Sequence, residues 1–101
     1  MEDEKYQNLK DYCLRLLSIR PRSKKEISGK LSQYVEKRQF PANLVGKLLN
    51  ELSELNLVND EDFASWWTEQ RRTFRPKGEK LIRLELLQKG VDKEVIDLVV
   101  S

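Results

Sequence analysis

The stretch Arg20-Pro21-Arg22-Ser23-Lys24-Lys25-Glu26-Ile27 holds the end of one helix and the start of the next. Pro21 disfavours helical geometry in the residue before it, so a helix running from about Glu4 to Ile19 stops near Arg20. Ser23-Lys24-Lys25-Glu26 then fits a capping box: the Ser23 hydroxyl accepts the Glu26 amide proton, and the Glu26 carboxylate reaches back to the Ser23 amide. Upstream, Leu9, Tyr12, Cys13, Leu16 and Leu17 recur at helical spacing on one side. Downstream, Ile27, Leu31 and Tyr34 or Val35 form the inward face of a second helix. Gly29 inside that helix costs about 1 kcal/mol relative to Ala, which suggests the close approach of a neighbouring helix.

The rest of the chain reads the same way. Pro41 suits the first turn of a third helix carrying Leu44, Val45, Leu48, Leu49, Leu52 and Leu55, and Asn56 suits its left-handed cap. Asn59-Asp60-Glu61-Asp62 places acidic groups at the positive end of a fourth helix, which carries Phe63, Ala64 and Trp67 and stops before Pro76. A fifth helix, about Gly78 to Lys89, is ended by Gly90, and a sixth begins at Asp92. Sustained strand alternation is missing throughout, so the fold expected is all-α.

The opening stretch also recurs. Arg20-Pro21-Arg22-Ser23 aligns with Arg75-Pro76-Lys77-Gly78, and at the same offset Ile27 falls on Ile82, Leu31 on Leu86 and Gln33 on Gln88. After a short insertion, Phe40 falls on Val91, Leu44 on Val95, Val45 on Ile96 and Leu48 on Val99. The architecture expected is therefore tandem three-helix repeats, a short helical solenoid, with residues 1–57 as the first unit and 58–101 as the second. The apolar faces of the units are expected to cover one another. The second copy is shorter than the first, which predicts an unfinished last helix with an uncovered apolar edge, open to a further unit or to a second copy in a homodimer. The core expected comprises Phe63, Trp67, Ile27, Leu31, Leu48, Leu52, Ile82 and Leu86.

Composition narrows the function. The chain has 101 residues, 36% of them charged and 39% hydrophobic, so it supports one modest core or two small ones, not a large enzyme. It has no histidine and one cysteine, which excludes an intramolecular disulfide, the usual zinc ligand sets and imidazole-assisted nucleophilic catalysis. Cys13 lies on an apolar helix face and reads as core. The acidic run Asn59 to Asp62 lacks the glycine turn and terminal Glu of a calcium loop, and a Gly-rich phosphate cradle is missing. The expectation is a non-enzyme with no catalytic residue, no cofactor and no metal. A polar, acidic N-terminus and the lack of a long apolar run point to a cytoplasmic chain with no membrane partner.

A net charge of +2 is too small for the whole surface to act as a polycation, so any electrostatic contact must be local. Arg71, Arg72, Arg75, Lys77, Lys80 and Arg83 stand against Glu79 alone, and Arg20, Arg22, Lys24 and Lys25 occupy the equivalent loop of the first unit. These ten residues are the candidate contacts for a protein partner or for DNA. Trp66 and Trp67 point about 100° apart on one helix, so Trp67 is assigned to the core and Trp66 to a contact with the other unit.

Leu57-Val58-Asn59-Asp60-Glu61-Asp62-Phe63-Ala64, then Trp67 and Arg71, Lys77-Gly78, and Leu81-Ile82-Arg83-Leu84-Glu85-Leu86-Leu87-Gln88-Lys89-Gly90-Val91 together resemble the RecX regulators of the RecA recombinase. Leu16-Leu17-Ser18-Ile19-Arg20-Pro21-Arg22-Ser23, with Glu26-Ile27 and Lys30-Leu31, resembles the first repeat of that family. The likeness runs from about Tyr12 to Ile96. It departs at Asn59, Trp66 and Leu87, and the family usually has three units where this chain has one and most of a second. The resemblance implies tandem three-helix units that bind RecA filaments on single-stranded DNA, lodge in the filament groove and inhibit the recombinase in recombination and repair. Direct DNA binding through Arg71 to Arg83 is the alternative.

Overall fold

The computed structural model describes residues 2–74 and 78–100. Among these residues six helices follow one another: α1 (Glu2–Ile19), α2 (Lys24–Arg38), α3 (Asn43–Glu54), α4 (Asp60–Phe74), α5 (Glu79–Gln88) and α6 (Lys93–Val100). The break between α1 and α2 is built as the sequence dictates. Ser23 Oγ accepts the Glu26 amide at 3.1 Å and the Glu26 carboxylate accepts the Ser23 amide at 3.1 Å. The start of α3 differs slightly from expectation. Pro41 and Ala42 precede the helix, and their carbonyls accept from Leu44 and Val45 at 3.2 Å in a tighter turn before the regular ladder begins at Asn43.

Helices α1, α2 and α3 enclose one core and α4, α5 and α6 a second. Ile27, Leu31, Leu48 and Leu52 are buried in the first with Leu9 and Cys13; Phe63, Ile82 and Leu86 are buried in the second with Ala64 and Ile96. Val58, placed at the head of the second unit by the repeat, is instead buried in the first core. Burial pushes the Cys13 thiol up to about 11, so it is an inert core group.

Three expectations are corrected. Trp67 is only partly buried, because its indole N–H needs a polar partner and finds the Glu85 carboxylate at 3.2 Å, near the surface of α5. The apolar stripe of α6 is not an open edge: Ile96 and Val100 are buried against the second unit, Val95 and Val99 pack on its core, and Leu98 is the hydrophobic side chain left outside. Nor do the two units stack through oily faces. Their cores form separate clusters, and the molecule is drawn out to 49 × 24 × 21 Å.

Polar groups join them. The Lys24 amide donates to Asp60 Oδ1 at 2.8 Å, Lys25 Nζ to the Gln88 carbonyl at 3.4 Å, and Lys89 Nζ to Glu26 Oε2 at 3.3 Å. The Arg20 guanidinium sits over the Trp66 ring at 5.7 Å, so Trp66 meets the first unit through a cation rather than through apolar packing. Gly90, at φ 84°, lies so close to Lys25 that an added Cβ would stand 2.7 Å from the lysine Cβ. Gly29 is not explained by helix packing: a Cβ there meets nothing within 4 Å.

Candidate functional site

The structure separates the ten candidate contact residues into several environments. The Arg20 guanidinium holds Glu26 with Nη2–Oε2 at 2.7 Å, and Arg22 Nε donates to the Leu16 carbonyl at 3.3 Å. Lys24 and Lys25 face the second unit through the junction bonds given above. Arg71 Nε pairs with Glu85 Oε1 at 3.1 Å while its guanidinium lies over Trp67 at 4.5 Å. Arg72 donates to the Val100 carbonyl at 3.0 Å, and Arg83 bridges Glu79 at 3.2 Å and Asp97 at 2.5 Å. Lys80 is exposed on α5, and Arg75 and Lys77 lie outside the described residues. The stretch Arg71 to Arg83 is therefore not one bare cationic patch. Much of its charge is spent inside the second unit: Glu79 stands at helical spacing from Arg83, whereas Glu85 and Asp97 are brought to Arg71 and Arg83 across the fold.

Glu26 is the most heavily used acid. Burial raises its carboxyl, but hydrogen bonds from Arg20, the Ser23 amide and Lys89, together with the Arg20 charge, hold it below the ordinary carboxylate range. The Asn59 to Asp62 run is a helix start, as its composition suggests: Asn59 Oδ1 accepts the Asp62 amide at 3.0 Å and Asp60 caps the Lys24 amide. Among the described residues, three or more His, Cys, Asp or Glu side chains nowhere converge as a metal site would need, and no helix is long and apolar enough to cross a membrane.

Sequence reading passed over two surfaces. The first is the outer side of α2, where Arg15, Lys37 and Arg38 border a shallow trough of about 570 Å³ with Gln33, Tyr12 and Tyr34. The tyrosines stack at 4.5 Å and Arg38 lies 4.4 Å over Tyr34. Glu36 interrupts this run of cations in the sequence but does not line the trough, so linear charge counting hides it. Gln33 also borders a second hollow, of about 300 Å³, between α2 and the end of α5.

The second surface is apolar. Leu81, Leu84 and Leu87 are 41%, 50% and 52% exposed along α5, and with Gly78, Lys80 and Arg83 they form a groove of about 540 Å³. In the repeat alignment these leucines fall on Glu26, Gly29 and Ser32, so the polar face of α2 has become an oily face on α5. An apolar strip with cationic rims fits a protein surface better than it fits a nucleic acid.

Two consecutive three-helix domains, each with its own core, define the chain as a tandem helical-domain protein. Residues 10–52 match the family described as RecX, first three-helix domain, and residues 59–100 match RecX, second three-helix domain; the chain belongs to the RecX family and carries these two domains in that order. It is 46% identical over 85 residues to the regulatory protein RecX of Mycobacterium sp. (strain JLS), covering 84% of this chain and 44% of that protein. It is 36% identical over 98 residues to the regulatory protein RecX of Mycobacterium bovis (strain BCG / Pasteur 1173P2), covering 97% and 54%. The crystal structure of RecX from Lactobacillus salivarius superposes with a TM-score of 0.82 at 24% identity, over 97% of this chain and 61% of that one, and so shares the fold. The chain spans about half the length of the curated relatives it matches.

Proposed function

We propose that this chain binds RecA filaments assembled on single-stranded DNA and inhibits the recombinase by occupancy, without catalysing a reaction. Membership of the RecX family carries this reading. The exposed Leu81, Leu84 and Leu87 groove supports a protein partner, since a chain that bound only phosphates would have no use for an oily face of this kind. On its rim the exposed Lys80 would supply a cation for a carboxylate on the partner. Arg71, Arg72 and Arg83 would have to exchange their internal partners to join it, and Arg75, Lys77, Arg20, Arg22, Lys24 and Lys25 are further proposed contacts. Cytoplasmic location follows from that partner.

The test is co-sedimentation of the purified chain with RecA filaments, read together with DNA-dependent ATPase and strand exchange. The expected outcome is binding with loss of both activities, weakened by Leu84→Asp, which places a charge on an exposed apolar position without disturbing the core. Absence of binding and of inhibition at saturating chain would overturn the proposal. Direct DNA binding through Arg71 to Arg83 has less support, because Arg71 and Arg83 already pair with Glu85, Glu79 and Asp97. It requires a DNA affinity that falls steeply with salt and is reduced by neutralising those arginines.

A further inference from the structure

The hollow between the two units combines three features. Lys25 and Lys30 of α2 and Lys89 of the second unit line it, together with Gln33 and Gln88. Glu26 is the carboxylate in its lining, and both its oxygens are already taken, Oε1 by the Ser23 amide and Oε2 by Arg20 and Lys89. Three lysines against that one carboxylate, which already pairs with Lys89, leave the lining with an excess of positive charge. The third feature is Gly29. A glycine inside a helix is destabilising, and packing does not require this one, since a Cβ would enter open space. That open space is the hollow itself, where Gly29 lets a ligand approach the helix backbone more closely than any side chain would allow.

We infer that this hollow binds a phosphate group, with Lys25, Lys30 and Lys89 supplying charge, Gln33 and Gln88 neutral donors, and Gly29 the floor. The group could be carried by free phosphate or by the backbone of a single strand. Gln33 also lines the trough of Arg15, Lys37 and Arg38, which would take further phosphates of a strand, whereas a free ion has no use for it. The inference is independent of the RecA reading, and failure of either leaves the other standing.

The experiment is an amide-shift titration of the isotopically labelled full chain with inorganic phosphate and, separately, with a short oligothymidylate, both at constant ionic strength. The Gly29, Gln33 and Gln88 signals are expected to move together. Lys30→Gln should weaken binding about tenfold, the loss of one charge-assisted hydrogen bond. Gly29→Ala should raise the thermal midpoint and yet weaken binding, a combination that a merely structural glycine would not give. Saturation by inorganic phosphate identifies a free-ion site. Saturation by the oligonucleotide alone, weakened by Arg15→Gln with Lys37→Gln, identifies a strand. If neither ligand moves these signals, or if Gly29→Ala binds as tightly as the parent chain, the site does not exist.

Discussion

Glu26 serves two elements at once, since it closes the cap of α2 and ties down Lys89 of the other unit. Its carboxyl titrates lower in the folded chain than in the unfolded one, so its contribution is complete above the unfolded value near 4.3 and is lost as pH falls through the folded value. Acidification should therefore loosen the first turn of α2 before the helices melt, seen as a lowered protection factor at the Ser23 amide, which the carboxylate accepts. Glu26→Ala should remove that dependence and cost about 1 kcal/mol in denaturant unfolding, the usual value of a lost cap. Thr68 makes the opposite case. It is 3% exposed, and its hydroxyl has no hydrogen-bond partner among the described residues. Thr68→Val should raise the stability of the second unit by roughly 1 kcal/mol, the desolvation penalty of an orphaned hydroxyl; a fall in thermal midpoint would mean that the oxygen is satisfied after all. The capping box was legible because both its groups lie within four residues, whereas the partners of Trp67 and Arg71 on Glu85 lie across the fold and have no local signature.

At the scale of elements, three helices end in one cap written in three ways. Phe40 donates to Val35, Leu57 to Leu52 and Val91 to Leu86, each across five residues, around a left-handed residue: Gln39 at φ 58°, Asn56 at 57° and Gly90 at 84°. Asn56 and Gly90 could be read from sequence because their types favour that conformation. Gln39 could not, because a glutamine carries no preference for it and the tertiary fold imposes it. Gln39→Gly should accordingly stabilise the first unit by about 1 kcal/mol, and Gly90→Ala should destabilise the second by about 1–2 kcal/mol. Gly90→Ala carries an additional effect, since its new methyl would collide with the Lys25 side chain. Denaturant midpoints of the two single variants check both signs, and a neutral Gly90→Ala would contradict the cap geometry.

The repeat let the order of the helices be read correctly, but it misjudged how the units meet. Apolar spacing says which residues leave water, not whether one core or two receive them, and here each set of stripes is consumed inside its own unit. What remains for the junction is charge: Lys89 on Glu26, Lys25 on a carbonyl, the Lys24 amide on Asp60, and Arg20 over Trp66. Such contacts sit near solvent and are screened over about 8 Å at physiological salt and about 3 Å at 1 M, whereas buried apolar cores are not weakened by screening. The angle between the units should therefore depend on ionic strength while the units themselves do not. Spin labels on exposed Ser32 and Leu98, one on each unit, should give a single narrow distance distribution in low salt and a broader one at 1 M sodium chloride, with helical circular dichroism unchanged. Lys89→Met, which removes the charge but keeps the length of the chain, should broaden the low-salt distribution in the same way. A distribution that stays narrow in both conditions would mean that the units are held by something other than the polar contacts at their junction.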